Sequence, residues 1–217
     1  MHITTATASQ PESTEAQVMA RVRRAGRGSV WCAERLVLGL PRNAIDQALG
    51  RLTSKEQLIR IAYGIYLYPQ VHPLLGMQPA LLADVLQMYS DIGVGPLIPT
   101  GATAAAFFDL CEPEQMVIHY GGVGITRTIA TARWTLYIRP VAARAIDGLH
   151  PLTAILIQAM RHIGQKHWNS THTQLLRHRI TGTSAAIICD QGALCPAWMR
   201  PIITTLRMHP STAASTM

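Results

Sequence analysis

The sequence predicts an α+β fold: an N-terminal unit of short helices closed by a hairpin, then a mixed helix-and-sheet domain ending in helices. Three observations predict it. Between Pro41 and Leu52, Ile45, Ala48, Leu49 and Leu52 recur at the i, i+3, i+4, i+7 spacing of one helix face. Directly after them, two β-branched and aromatic runs, Leu58–Ala62 and Ile65–Tyr68, flank Tyr63-Gly64, the pattern of a tight hairpin. From Met116 three short strand-like runs precede a return to helical spacing at His150.

Each element follows from its residues. Residues 1–14 are rich in Thr, Ala and Ser without period and are expected to be flexible. Ser13 or Thr14 is placed to cap a helix through Val18, Met19 and Val22. That helix runs out in Arg21, Arg23, Arg24 and Arg27, with Gly26 and Gly28 as stop signals. Ser29-Val30-Trp31 reads as a short strand, and Ala33–Leu38 as a short helix ending at Gly39. Gly39-Leu40-Pro41 makes the tight turn between two helices, and Pro41 suits the first turn of the next, where its missing N–H costs nothing. Arg42, Asn43, Asp46, Gln47 and Gly50 occupy that helix's polar face. Pro69 stops the hairpin's second strand.

Helix, strand, helix, helix, strand, strand over residues 15–69 is the order of a winged helix-turn-helix. Its third helix has the size of a DNA major groove, and its hairpin is the wing. Cations in a helix's last turn are also favoured by the macrodipole alone, and an amphipathic helix beside a hairpin also suits an ordinary core.

Residues 70–79, broken by Pro73, Gly76 and Pro79, read as a linker, and residues 80–208 as the second domain. Ala80–Tyr89 has helical spacing, and Thr100-Gly101 leads into the small-residue helix ATAAAFFDL. Met116–Tyr120, Ile125–Thr131 and Arg133–Arg139 read as strands, with Gly121-Gly122 and Gly124 in a turn. Leu152, Ile155, Leu156, Ala159 and Ile163 stripe a helix closed by Gly164. Further helices are expected over Ser170–Arg179, Thr183–Cys189 and Pro196–Leu206, and a flexible tail over 209–217.

Composition narrows the function classes. The 217 residues are 48% hydrophobic, enough for a real core, and carry a net charge of +7, which suits an acidic partner such as nucleic acid. All bases but Lys55 and Lys166 are arginine, the side chain suited to bidentate contacts with phosphate and guanine. The excess is concentrated: residues 15–69 hold nine bases against Glu15, Glu34, Asp46 and Glu56. The N-terminus lacks the regions of a signal peptide, no apolar run approaches a membrane span, and the four cysteines show no CxxC spacing. A reduced, cytoplasmic protein without membrane association is expected.

No constellation of catalytic residues stands out. Cys189 and Cys195 with His172 and His178 lack zinc-ligand spacing, so no metal is expected. Gly121–Gly124 lacks the Lys-Ser/Thr of a phosphate loop, and Asp109, Glu112 and Glu114 read as a solvated loop. No cofactor and no enzymatic activity are expected.

The wing IRIAYGIYLYP resembles the R-x-x-R-G-x-Y-x-x-P wing of AbiE-type (type IV) abortive-infection antitoxins, and AIDQALGRL resembles their recognition helix. PTGATAAAFFDL is similar to the family's S-G-x-x-A-A-x-x-L-G-L segment, and CPAWMRPII to a C-terminal P-A-W-M motif of one subgroup. The resemblance spans residues 15–206. It implies a bacterial, nucleoid-associated repressor of its own operon, bound to inverted repeats of double-stranded DNA upstream. It also implies a C-terminal domain with antitoxin activity against a nucleotidyltransferase-like toxin. Arg60 and Gly64 fall on matching wing positions. Tyr63 stands where the family usually has arginine, Asp109 where it has glycine, and Gly50 where serine is commoner.

On this reading Arg42, Asn43 and Gln47 contact base edges, arginine to guanine and amides to adenine. Arg51, Arg60 and Tyr63, with Arg23, Arg24 and Arg27, hold phosphates and set the register. The alternative is a winged helix that docks a toxin or another protein without reading DNA.

Overall fold

The computed structural model describes residues 13–36 and 38–208. The chain is α+β and divides into two compact units between Gly93 and Val94.

In the first unit, α1 (Thr14–Ala25) opens on Ser13, whose hydroxyl accepts the Ala16 N–H at 3.2 Å. Helix α1 therefore takes Thr14 out of the stretch expected to be flexible. Residues 1–12 and 209–217 of the expected flexible ends lie outside the described residues. β1 (Val30–Trp31), α2 (Ala33–Leu36) and α3 (Arg42–Ser54) follow, then β2 (Ile59–Ala62) and β3 (Ile65–Leu67). β3 is the centre of a three-stranded antiparallel sheet ordered β1-β3-β2. Ala62 pairs with Ile65 across Tyr63-Gly64, and Gly64 sits at φ +72°, a conformation that side chains other than glycine's adopt at a cost. The apolar stripes of α1 (Val18, Met19, Val22) and α3 (Ile45, Ala48, Leu49, Leu52) share one core with Trp31, Leu36, Leu58 and Tyr66.

The expected linker at 70–79 is instead a second hairpin. β4 (Gln70–His72) and β5 (Gly76–Gln78) pair antiparallel, and the breakers Pro73 and Gly76 lie in and beside its turn. The His72 Nδ1 accepts the N–H groups of Leu74 and Leu75, both at 3.2 Å, and so closes that turn. α4 (Leu82–Asp91) then packs with the first unit rather than opening the second. Arg35 on α2 makes an ion pair of 2.6 Å with Asp91 at its end.

The second unit begins with β6 (Ile98–Pro99) and α5 (Gly101–Phe107). β7 (Val117–Gly122), β8 (Arg127–Ala130) and β9 (Thr135–Pro140) complete a four-stranded sheet ordered β6-β7-β9-β8. β7 runs parallel to β9, while β6 and β8 are antiparallel to their neighbours. Gly121 and Gly122, expected in a turn, end strand β7. A Cβ on Gly121 would lie 2.5 Å from Val141 Cγ1 and 2.7 Å from Thr100 Cγ2, and one on Gly122 2.5 Å from Leu97 Cδ2. These glycines are there for close approach, not for bending. Gly124 alone, at φ +67°, makes the turn.

α6 (Pro151–Ile163) is the axis of this unit's core, buried from Thr153 to Met160. α5 packs on it through Ala104, Ala105 and Phe108. α7 (Ser170–Arg179), α8 (Gly182–Asp190) and α9 (Arg200–Thr205) supply Leu176, Ala185, Ile188 and Ile203 to the same core. Asp109 takes φ +57°. Aspartate tolerates this left-handed region better than most residues.

Candidate nucleic-acid interface

With the Ile45–Leu52 stripe in the core, α3 turns Arg42, Asn43, Asp46, Gln47, Gly50, Arg51 and Ser54 to solvent. Of the three residues placed at base edges, each has a different standing. The Arg42 Nε donates to Asp46 Oδ1 at 3.1 Å and Oδ2 at 3.0 Å, and its Nη1 to Glu34 Oε1 at 2.7 Å. Asp46 and then Glu34 hold the guanidinium still more firmly in its charged form. The Asn43 Oδ1 accepts the Ala44 N–H at 2.9 Å, which fixes the carbonyl end of the amide. Gln47 is exposed on the same face. Gly50, one turn on, has nothing within 4 Å of where a Cβ would stand, so the exposed face is open beyond Gln47.

The cations assigned to phosphates are mostly engaged within the fold. Arg51 Nε lies 3.2 Å from Glu15 Oε1, and Lys55 Nζ pairs with the other oxygen of the same carboxylate. Lys55 foremost, with Arg51, holds the Glu15 carboxyl below its usual range. One carboxylate at the start of α1 thus clamps the last turn of α3.

At the hairpin tip, Tyr63 is 88% exposed, and the Arg60 guanidinium lies 5.0 Å from its ring centroid. Arg60 Nε also donates to the Ala62 carbonyl at 3.4 Å. The tip therefore carries a positive charge beside Tyr63. Arg23 and Arg24 are exposed in the last turn of α1.

Arg27 also has partners within the fold. Its Nη1 donates to the Pro69 carbonyl at 2.9 Å, and its guanidinium lies 5.1 Å from the Tyr68 ring centroid. Tyr68 follows the last residue of β3, while Tyr63 lies in the turn before its first. Arg27 thus braces the base of the hairpin.

Sequence reasoning missed Arg21 and Arg35. They line an open groove of about 560 Å³ with Arg24, Ala25, Trp31 and Asp91. Arg35 donates to the Val30 carbonyl and lies 5.0 Å from the Trp31 ring centroid. The spacing of Arg21 and Arg24 puts both on one helical face, which was legible. The approach of Asp91 to Arg35 across more than fifty residues was not.

The other constellations have local partners. The His172 Nδ1 accepts the Asn169 N–H at 3.3 Å in a capping box at the start of α7. Cys189 and Cys195 donate to the carbonyls of Ile203 and Gln191. Burial pushes the Cys32 thiol up to about 11 and raises those of Cys111, Cys189 and Cys195. Among the described residues no three His, Cys, Asp or Glu side chains are grouped to hold a metal ion, and no helix is long and apolar enough to cross a membrane.

No curated protein matches the chain. A solved structure, that of the RV2827C protein from Mycobacterium tuberculosis, aligns with a TM-score of 0.45 at 13% identity. It covers 91% of this chain and 77% of that one. A family model described as a family of unknown function, DUF6088, matches residues 17–183. The chain belongs to that family.

Proposed function

We propose that the first unit is a winged helix that reads double-stranded DNA, and that the chain is a non-enzymatic repressor of the antitoxin type. The observation that carries this reading is the pairing of two exposed features on one small fold. One is the polar face of α3, with Asn43 and Gln47 one turn apart. The other is a hairpin tip offering Arg60 and Tyr63. Amides on a helix that fits the major groove match adenine edges, and a basic aromatic hairpin tip matches the backbone beside it. The net charge of +7 supplies the attraction that precedes docking.

By the resemblance of its wing and its TGATAAAFFDL segment to AbiE-type antitoxins, the target is an inverted repeat upstream of its own operon. The second unit is then the part that opposes a nucleotidyltransferase-like toxin.

A second reading has its own support. Arg42 and Arg51 are tied to carboxylates, which leaves the centre of the α3 face nearer neutral than a DNA reader needs. A winged helix that docks a protein fits that face.

Fluorescence anisotropy separates the two. The full chain is titrated against the duplex just upstream of its own gene and against a scrambled duplex, at two salt concentrations. Preference for the upstream duplex that survives added salt is the expected result. Equal, salt-labile binding to both duplexes overturns the DNA-reading assignment.

A further inference from the structure

The groove beside α1 gathers more positive charge than its own lining neutralises. Arg21 and Arg24 stand one turn apart on α1, and Arg35 lines the same groove from α2. The helix macrodipole favours Arg24, in the last turn of α1, but accounts neither for Arg21 before it nor for Arg35 on another helix. Asp91 is the one carboxylate among the described lining residues. Three guanidiniums against one carboxylate leave a surplus of two positive charges.

Arg35 is held in place for an anion. Its Nη2 lies 2.6 Å from Asp91 Oδ2, its Nη1 donates to the Val30 carbonyl, and its guanidinium lies 5.0 Å from the Trp31 ring centroid. Asp91 has a second partner, because its Oδ1 accepts the Gln87 amide N–H at 2.7 Å. Arg35 can therefore exchange this exposed carboxylate for an incoming anion without stranding it. The indole N–H of Trp31 is already given to Ser29 Oγ at 2.8 Å, so Trp31 and Ala25 offer the groove carbon surface.

We propose that this groove binds a free phosphate monoester with an apolar or aromatic body, its phosphoryl group held by Arg21, Arg24 and Arg35. Guanidinium forks match the oxygens of a phosphate. A monoester carries ~1.5–2 negative charges near neutral pH, which the surplus of two positive charges balances. Each backbone phosphate of DNA carries about one. The volume of about 560 Å³ exceeds what a bare phosphate fills and falls in the ~300–1,000 Å³ range of small-molecule sites. The inference does not rest on the DNA reading: no residue of the groove lies on α3 or at the tip of the β2–β3 hairpin, and Arg24 alone is common to both.

The test is isothermal titration calorimetry of the full chain with phenyl phosphate at constant ionic strength and about pH 8, where the ester is a dianion, with phenyl sulfate as the monoanionic control. The expected result is saturable binding of phenyl phosphate, tighter than that of phenyl sulfate. The double variant Arg21→Ala/Arg24→Ala should weaken it by ~10-fold or more, the loss of hydrogen bonds to a charged group. Asp91→Asn should strengthen it, because Arg35 no longer has a competing carboxylate. These substitutions fall on exposed side chains, and circular dichroism and thermal melting check that each variant stays folded. Absence of saturable binding overturns the proposal, as do equal affinities for the two esters or a folded double variant that binds like the native chain. Should the double variant misfold, Asp91→Asn carries the test with the opposite sign, and unchanged or weakened binding there overturns the proposal. Repeating the titration with the upstream duplex present separates the sources of phosphate. Undiminished binding supports a free ester, whereas displacement by the duplex assigns the groove to the DNA backbone and overturns it. Anisotropy that fails while phenyl phosphate binds refutes the DNA reading alone.

Discussion

Replacing Arg42 with alanine separates its roles in stability and in binding. Its two ion pairs join side chains that are each about half exposed: Arg42 56%, Glu34 48% and Asp46 51%. Exposed pairs of this kind contribute ~0.2–1 kcal/mol each, so Arg42→Ala should cost the fold no more than ~1–2 kcal/mol. Loss of a guanine-reading arginine should cost ~1–3 kcal/mol of discrimination. At ~1.4 kcal/mol per decade that is a ~5- to 150-fold loss of preference for the upstream duplex. The substitution also leaves Glu34 and Asp46 without their cation on the face proposed to meet DNA. Asp46→Asn should act in the opposite sense. It removes a carboxylate from that face, loosens Arg42 for an incoming base, and changes stability by only ~0.5 kcal/mol as an exposed i,i+4 pair. Anisotropy on the upstream and scrambled duplexes reads the binding, and urea unfolding reads the stability. Unchanged preference in Arg42→Ala, with the fold intact, refutes the placement of the reading face on α3. Weakened binding in Asp46→Asn refutes the account of Arg42 as a held but available guanidinium.

Three further outcomes follow from the geometry. Tyr63→Ala removes a side chain 88% exposed, so the melting temperature should stay put while affinity for the upstream and scrambled duplexes falls alike; a loss confined to one duplex contradicts a backbone role. Gly121→Ala forces a Cβ to 2.5 Å from Val141 and 2.7 Å from Thr100, and should destabilise the second unit by ~1–3 kcal/mol in calorimetry; a neutral change means β7 and its neighbours give way freely. The Glu15 carboxyl titrates below its ordinary value near 4.5 because Lys55 and Arg51 favour its charged form. Its contribution is therefore present above that value and lost as pH falls through the lower, folded one. Glu15→Gln should flatten the acid limb of stability between about pH 5 and the folded pKa, and an acid limb identical to the native chain's refutes the clamp.

Local chemistry was decided by the sequence alone. The i, i+3, i+4, i+7 stripe set the buried face of α3, Tyr63-Gly64 set the hairpin turn, and Ser13, Gly164 and the Ser170–Arg179 run marked helix ends within a residue or two. These features follow from spacing and from backbone preferences that act over a few residues, so they can be read along the chain. The mixed α+β class follows from the same patterns.

What depended on distant partners was decided only by the tertiary structure. Pro73 and Gly76 are breakers whether they sit in a linker or in a hairpin turn, and only the pairing of Val71 with Met77 distinguished the two. Gly121 and Gly122 looked like a turn because glycine serves bends and close approaches equally; Thr100, Val141 and Leu97 decided for close approach. The parallel pairing of β7 with β9 leaves no mark in either strand's own residues. At the candidate interface, composition counted the arginines but not their occupations. Charge is a property of a residue, whereas its availability depends on the carboxylates, carbonyls and rings that folding brings beside it. Folding ties Arg42 to Glu34 and Asp46, sets Arg51 on Glu15, and spends Arg27 on Pro69 and Tyr68.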